Sequence, residues 1–178
     1  MNKQLCAQGR AQADDLGKSL RSEGIEYIFC SDMIRAQQTA QIMNRHLSVP
    51  VVYRDYLREI DRGELSRHTR EEVYAMFPDF RAADQTHDED VPYPNGECGQ
   101  DVWHRARQVF AEIEETGKDT VAVVCHAGTI LSLICGALDI PQQKRFFLGY
   151  PPEFCSTSVL KKENGRYYLH QFNQYART

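Results

Sequence analysis

The chain has 178 residues, 42% apolar, 10% aromatic and 26% charged, which suits one domain large enough to bury a hydrophobic core. Its 21 Lys and Arg against 25 Asp and Glu leave a formal charge of −4. This excludes a disordered, collagenous or coiled-coil chain, and with no basic stripe neither nucleic acid nor an anionic membrane is an expected partner.

Taken in chain order, Met1-Asn2-Lys3-Gln4 has no apolar run behind it, so no signal peptide is readable. Residues 9–22 predict a helix with Ala13, Leu16 and Leu20 on one face, and Gly24 ends it. Residues 25–30 follow as a strand. Ser31 or Asp32 is positioned to cap a second helix with the stripe Ala36, Ala40, Met43 and Leu47. Pro50 breaks that helix, and residues 51–53 begin another strand. Thr69 with Glu72 is a capping-box pattern opening a short helix through Val73, Met76 and Phe77. A polar, proline-bearing loop is expected over 84–97, with His87-Asp88-Glu89-Asp90 as a solvated acidic run. Val102, Ala106, Val109, Phe110 and Ile113 then mark one long amphipathic helix.

Residues 120–140 carry few ionisable groups and approach the length of a membrane span. Their pattern is instead a buried strand at 121–124, a turn at Ala127-Gly128 and a short apolar helix over 129–138. Asn164-Gly165 between two β-rich runs predicts a terminal hairpin. Strands that are apolar throughout, alternating with helices, imply a three-layer α/β fold: a mostly parallel sheet flanked by helices, with a C-terminal β-hairpin. No repeat or composition break divides residues 1–178, which read as a single domain.

Six cysteines, Cys6, Cys30, Cys98, Cys125, Cys135 and Cys155, form no C-x-x-C pair. They read as free core thiols of a reducing, cytoplasmic protein, with no metal site and no cofactor.

Ligands of open α/β sheets bind at the carboxyl ends of strands. There the three strands present Ser31 to Arg35, Leu57 to Asp61, and Cys125-His126-Ala127-Gly128. An arginine, a glutamate and a histidine therefore share one sheet edge. Arg35 alone reads as an ordinary first-turn arginine, and Glu59 alone as one member of a solvated charge cluster. His126, between a β-branched strand and a small turn residue, has little packing reason to be there.

Together these segments resemble the phosphoglycerate-mutase-like branch of the histidine phosphatase superfamily. Residues 31–40 are similar to its S-x-x-x-R-A-x-Q-T-A, and residues 57–64 to its L-R-E-I-D-F-G-E with Arg62 in place of the aromatic residue. Asn95-Gly96-Glu97 with Asp101-Val102 resembles its G-G-E-S-x-x-D-V, residues 124–128 its V-S-H-G-G, and residues 5–13 its L-T-x-x-G-x-x-Q-A. The likeness runs in order from Leu5 to about Phe172.

The resemblance implies a phosphoglycerate-mutase-like fold and phosphomonoester hydrolysis through a phosphohistidine, a covalent route that splits one displacement into two. It makes Arg35 a phosphoryl-binding arginine, His126 the second histidine, and Glu59 the acid for the leaving oxygen. These are the candidate catalytic residues, and Ser31, Arg58 and Gly128 are the substrate-binding candidates. The implied partner is a small phosphorylated substrate, with self-association possible.

One motif is absent. The nucleophilic histidine of the branch stands in an N-terminal R-H-G, and that tripeptide occurs nowhere in the sequence. His46, His68, His87, His104 and His170 are poor replacements. By resemblance the corresponding strand is central in the sheet, and its loss is expected to leave two inner strand edges unpaired. Three readings stand: a natural protein extended upstream, a pseudophosphatase that binds a phosphorylated ligand or partner, or a gap filled by another segment, for instance from a second copy. On each, the 178 residues alone are expected to turn over phosphomonoesters very slowly or not at all.

Other classes fit less well. A cysteine phosphatase needs His-Cys, five residues and Arg, but here the order is Cys125-His126 and the next arginine is Arg145. Neither G-x-S-x-G nor a glycine-rich phosphate loop is present. Phosphoglycerate-mutase-type phosphoryl transfer remains an alternative, although the short segment from Arg62 to Arg70 looks more like the phosphatase side.

Overall fold

The computed structural model describes residues 3–149 and 151–175, so Met1 and Asn2 of the opening segment lie outside it. The elements in order are α1 (Ala7–Ser19), β1 (Tyr27–Ser31), α2 (Ile34–Leu47), β2 (Val51–Arg54), α3 (Arg70–Met76), α4 (Pro78–Thr86), α5 (Gly99–Ala106), α6 (Gln108–Thr116), β3 (Val121–Val124), α7 (Ala127–Ala137), β4 (Ser156–Glu163) and β5 (Arg166–Tyr175).

β1 is the centre of a parallel three-stranded sheet of order β2-β1-β3. Its side chains alternate between two helical layers, as a strand's period of two requires. Ile28 and Cys30 meet Leu16 of α1 and Ala36, Ala40 and Met43 of α2. Phe29 points the other way, into Leu57, Ala106 and Val109 and Leu133 of α7. The three-layer α/β arrangement expected from the apolar strands is therefore present. A smaller cluster of Ile60, Val73, Phe80, Tyr93 and Val102 packs under α3 and α4.

The two inner edges expected to stand open do not. Tyr27, Ile28, Phe29 and Cys30 pair directly with Val121, Ala122, Val123 and Val124, so the backbone groups of β1 are satisfied on both sides. Among the described residues β3 pairs with β1 alone. This is why its four apolar residues are only half-buried while Ile28, Phe29 and Cys30 are buried.

Several local expectations hold. Thr69 and Glu72 close the capping box of α3. Asn164 and Gly165, at φ 50° and 76°, turn β4 into antiparallel β5, a two-residue turn that needs positive φ at both positions. Others are corrected. α2 is not capped by Ser31 or Asp32: Met33 occupies the cap position with no side-chain hydrogen bond, and Asp32 is bound elsewhere. The long amphipathic helix is two, α5 and α6, joined at Arg107, whose carbonyl accepts from Phe110 N only three residues on and tightens the turn. Ala127 and Gly128 form the first turn of α7 rather than a separate turn. The polar loop begins after α4, and its acidic run is not all solvated. Asp90 is largely buried, accepts from Gly99 N (3.0 Å) and Gln100 N (2.7 Å) at the start of α5, and pairs with buried Arg145. No helix among the described residues is long and apolar enough to cross a membrane.

Candidate active site

The parallel pairing of β1 with β3 carries two side chains to one place. Ser31 ends β1, and His126 follows β3 by two residues in extended backbone before α7 begins. Both are buried, and His126 Nε2 lies 2.9 Å from Ser31 Oγ. Ser31 Oγ also accepts from Met33 N at 3.3 Å, which holds the turn into α2. Burial pushes the imidazole down from 6.5 to about 3, with the Arg35 and Arg105 charges adding to the effect and Asp32 opposing it. At neutral pH the ring is uncharged, able to donate from one nitrogen and accept at the other. Arg35, in the first turn of α2, is half-buried and close enough for its charge to act on this ring.

Asp32 and Arg58 join the loops after β1 and β2. Arg58 Nε donates to Asp32 Oδ1 at 2.7 Å and Nη2 to Oδ2 at 2.5 Å, a fork that holds the Asp32 carboxyl below the usual carboxylate range. Arg58 thus spends one edge of its guanidinium on Asp32.

Glu59 sits against the start of α7. Its Oε1 accepts from Ile60 N at 2.9 Å and Thr129 N at 3.3 Å, while Thr129 Oγ1 donates to Arg58 O at 2.7 Å. Gly128 is required by this approach: a Cβ there would lie 2.6 Å from Ile60 Cγ2 and 2.7 Å from Glu59 Oε1. The structure therefore places Ser31, Arg35, Arg58, Glu59, His126 and Gly128 along the carboxyl ends of β1, β2 and β3. Ser31 and His126 touch, Glu59 and Gly128 touch, and Arg58 faces Asp32.

Sequence reasoning passed over Arg105 of α5, the residue that fastens the Glu59 loop. Its Nη1 donates to Tyr56 O (2.6 Å) and Arg58 O (2.9 Å), and Nη2 to Glu59 O (3.3 Å). Nε and Nη2 also donate to the two Glu97 oxygens at 2.7 and 3.0 Å, which occupies all five donors of the guanidinium. Glu97 Oε2 in turn accepts from Asp61 N at 2.9 Å. The signal was available: an arginine three residues after Val102 falls on the apolar stripe of its own helix.

The remaining histidines are engaged away from this edge. His46 lies 2.7 Å from Asp14, His87 stacks on Phe146, His104 meets Gln100, His68 lies near Glu64, and His170 is exposed on β5. Cys125, beside His126, is no ready nucleophile, since burial pushes its thiol up to about 12 and keeps it protonated. Among the described residues no three His, Cys, Asp or Glu side chains converge as a metal-ligand set.

Comparison with known proteins fits this geometry. The family model described as histidine phosphatase superfamily (branch 1) matches residues 1–175. The 6-phosphofructo-2-kinase/fructose-2,6-bisphosphatase 1 of Rattus norvegicus is 31% identical over 149 residues, covering 83% of this chain and 30% of that protein. The chain thus spans only 30% of the length of that relative. Phosphoserine phosphatase 1 of Hydrogenobacter thermophilus is 28% identical over 172 residues, covering 95% of this chain and 80% of that protein. Among solved structures, a mycobacterial glucosyl-3-phosphoglycerate phosphatase in complex with inorganic phosphate has a TM-score of 0.84 at 26% identity, covering 99% of this chain and 90% of the other. Mycobacterial hydrolase 1 has a TM-score of 0.87 at 26% identity, covering 98% and 88%.

Proposed function

The chain belongs to the histidine phosphatase superfamily (branch 1), and from that premise we propose that its strand-end face binds the phosphoryl group of a small phosphomonoester. The observation that carries the reading is the buried contact between His126 and Ser31 at 2.9 Å, within reach of the Arg35 charge. Arg35 offers a planar fork to two phosphoryl oxygens, and the neutral His126 ring donates a hydrogen bond to a third. Ser31 keeps that ring in place, and Arg58 holds Asp32 off the arriving dianion. Glu59 stands on the side from which the alcohol leaves and hands it a proton as the P–O bond breaks. Gly128 leaves the room that Glu59 needs.

Hydrolysis by the family route also needs a histidine whose ring nitrogen forms the new P–N bond before water displaces it. The R-H-G that supplies it in the branch is not among the 178 residues. We therefore assign these residues the binding and proton-delivering part of the site, with turnover by them alone very slow or absent.

Calorimetric titration with inorganic phosphate, alongside hydrolysis of p-nitrophenyl phosphate, tests this. Phosphate should bind the wild-type chain and bind Arg35→Ala and His126→Ala at least about ten-fold more weakly, while hydrolysis stays near the uncatalysed rate. Brisk hydrolysis abolished in His126→Ala would overturn the assignment of a site without its nucleophile. Unchanged phosphate binding in both variants would overturn the site itself.

A further inference from the structure

Beside Glu59 lies a pocket of about 80 Å³ whose wall includes Arg62, Tyr93, Gly128, Leu131 and Arg145. That is room for several waters or for a small charged group. Most of its polar groups are already engaged. Arg145 is paired with Asp90 and also donates to Gln142 O, and Glu59 Oε1 accepts from two backbone amides.

Arg62 differs. Its guanidinium carbon lies 5.7 Å from the centre of the Tyr93 ring, and its Nε is buried with no hydrogen-bond partner. Among the described residues no carboxylate comes within 4 Å of it, the charged neighbours Asp61 and Glu64 being bound elsewhere. Holding a half-buried cation against an aromatic face with no anion costs free energy, and a charge kept in that state in a cavity wall is suited to a charge that arrives with the ligand. An aromatic residue stands at this position in the pattern that residues 57–64 resemble, so the guanidinium is a property of this chain.

We propose that Arg62 receives a second anionic group carried on the alcohol part of the phosphomonoester, next to the oxygen that Glu59 serves. The inference rests on the reading above, in which the phosphoryl group lies by Arg35 and His126 with Glu59 on the leaving side. The preferred substrates are then phosphomonoesters whose alcohol also bears a carboxylate or a second phosphate. A guanidinium fork accepts either in bidentate fashion.

Four probes test this by calorimetry: inorganic phosphate, glycerol 3-phosphate, 3-phosphoglycerate and propane-1,3-diol bisphosphate. The wild-type chain should bind 3-phosphoglycerate or the bisphosphate at least about ten-fold more tightly than glycerol 3-phosphate. Whichever of the two is favoured identifies the second group. In Arg62→Met that ratio should fall to about one, and in Arg62→Lys to a value between. A wild-type ratio near one, with inorganic phosphate still bound, overturns the role of Arg62 and leaves the phosphoryl site standing; this arm needs no variant to fold. A ratio that survives in Arg62→Met also overturns it. If none of the four probes binds, the phosphoryl-site reading fails, and the inference with it.

Discussion

Acidification should destabilise this protein through one buried ring. The His126 imidazole is held at about 3 in the folded chain against an ordinary 6.5, chiefly by burial. Its neutral form therefore stabilises the fold above pH 6.5, and that stability is lost as pH falls toward 3, because the unfolded chain takes up a proton that the native chain refuses. At pH 5 the unfolded ring is almost wholly charged and the native ring almost wholly neutral. The difference amounts to about 2 kcal/mol relative to pH 7. Carboxylates contribute little over this interval, and the other histidines cancel when wild type is compared with His126→Gln, whose amide can still meet Ser31. Urea denaturation at pH 7, 6 and 5 reads the effect. The wild type should lose about 2 kcal/mol more than the variant over those two pH units. Equal losses in both proteins, or a His126 ring that titrates near 6.5 by NMR, would refute the burial argument.

Three further outcomes follow from the contacts around the site. Arg105→Met removes five hydrogen bonds, to the carbonyls of Tyr56, Arg58 and Glu59 and to the Glu97 carboxylate, and it should cost about 2 kcal/mol or more by urea denaturation while weakening phosphate binding through the loosened Glu59 loop. A variant as stable as wild type would remove Arg105 from the account. Asp90→Ala takes the acceptor from the first two amides of α5 and leaves the buried Arg145 charge without its carboxylate, which predicts a loss of about 3–5 kcal/mol in the same assay. Gly128→Ala drives a methyl into Glu59 and Ile60, so it should cost about 1–3 kcal/mol in thermal unfolding and displace the Glu59 carboxylate in a crystal structure.

What was legible in the sequence was what is local. The stripe Ala36, Ala40 and Met43, the Thr69 and Glu72 box and the Asn164-Gly165 turn each act within a few residues, and each appears where its pattern placed it. The candidate site was legible because strand ends are local features and because the fold lays parallel strands side by side, bringing Ser31 to His126. What failed was non-local or out of phase with the pattern. The apolar stripe runs unbroken through Val102, Ala106 and Val109, so nothing in its period marks the break at Arg107. The direct pairing of β1 with β3 joins segments some ninety residues apart, and no local signal sets it. Asp90 reads as one more acidic loop residue until Arg145 is folded against it. Arg105 was visible only as a charge on an apolar face, and its five hydrogen bonds reach four separate residues.

The central claim is that phosphate binds where β1, β2 and β3 end. A crystal structure of the 178-residue chain soaked with inorganic phosphate or vanadate tests it most directly. The account predicts the anion within hydrogen-bond distance, about 3 Å, of both Arg35 and His126, with the Glu59 carboxylate on its open side. An anion found elsewhere on the molecule, with this face unoccupied at saturating phosphate, would contradict it.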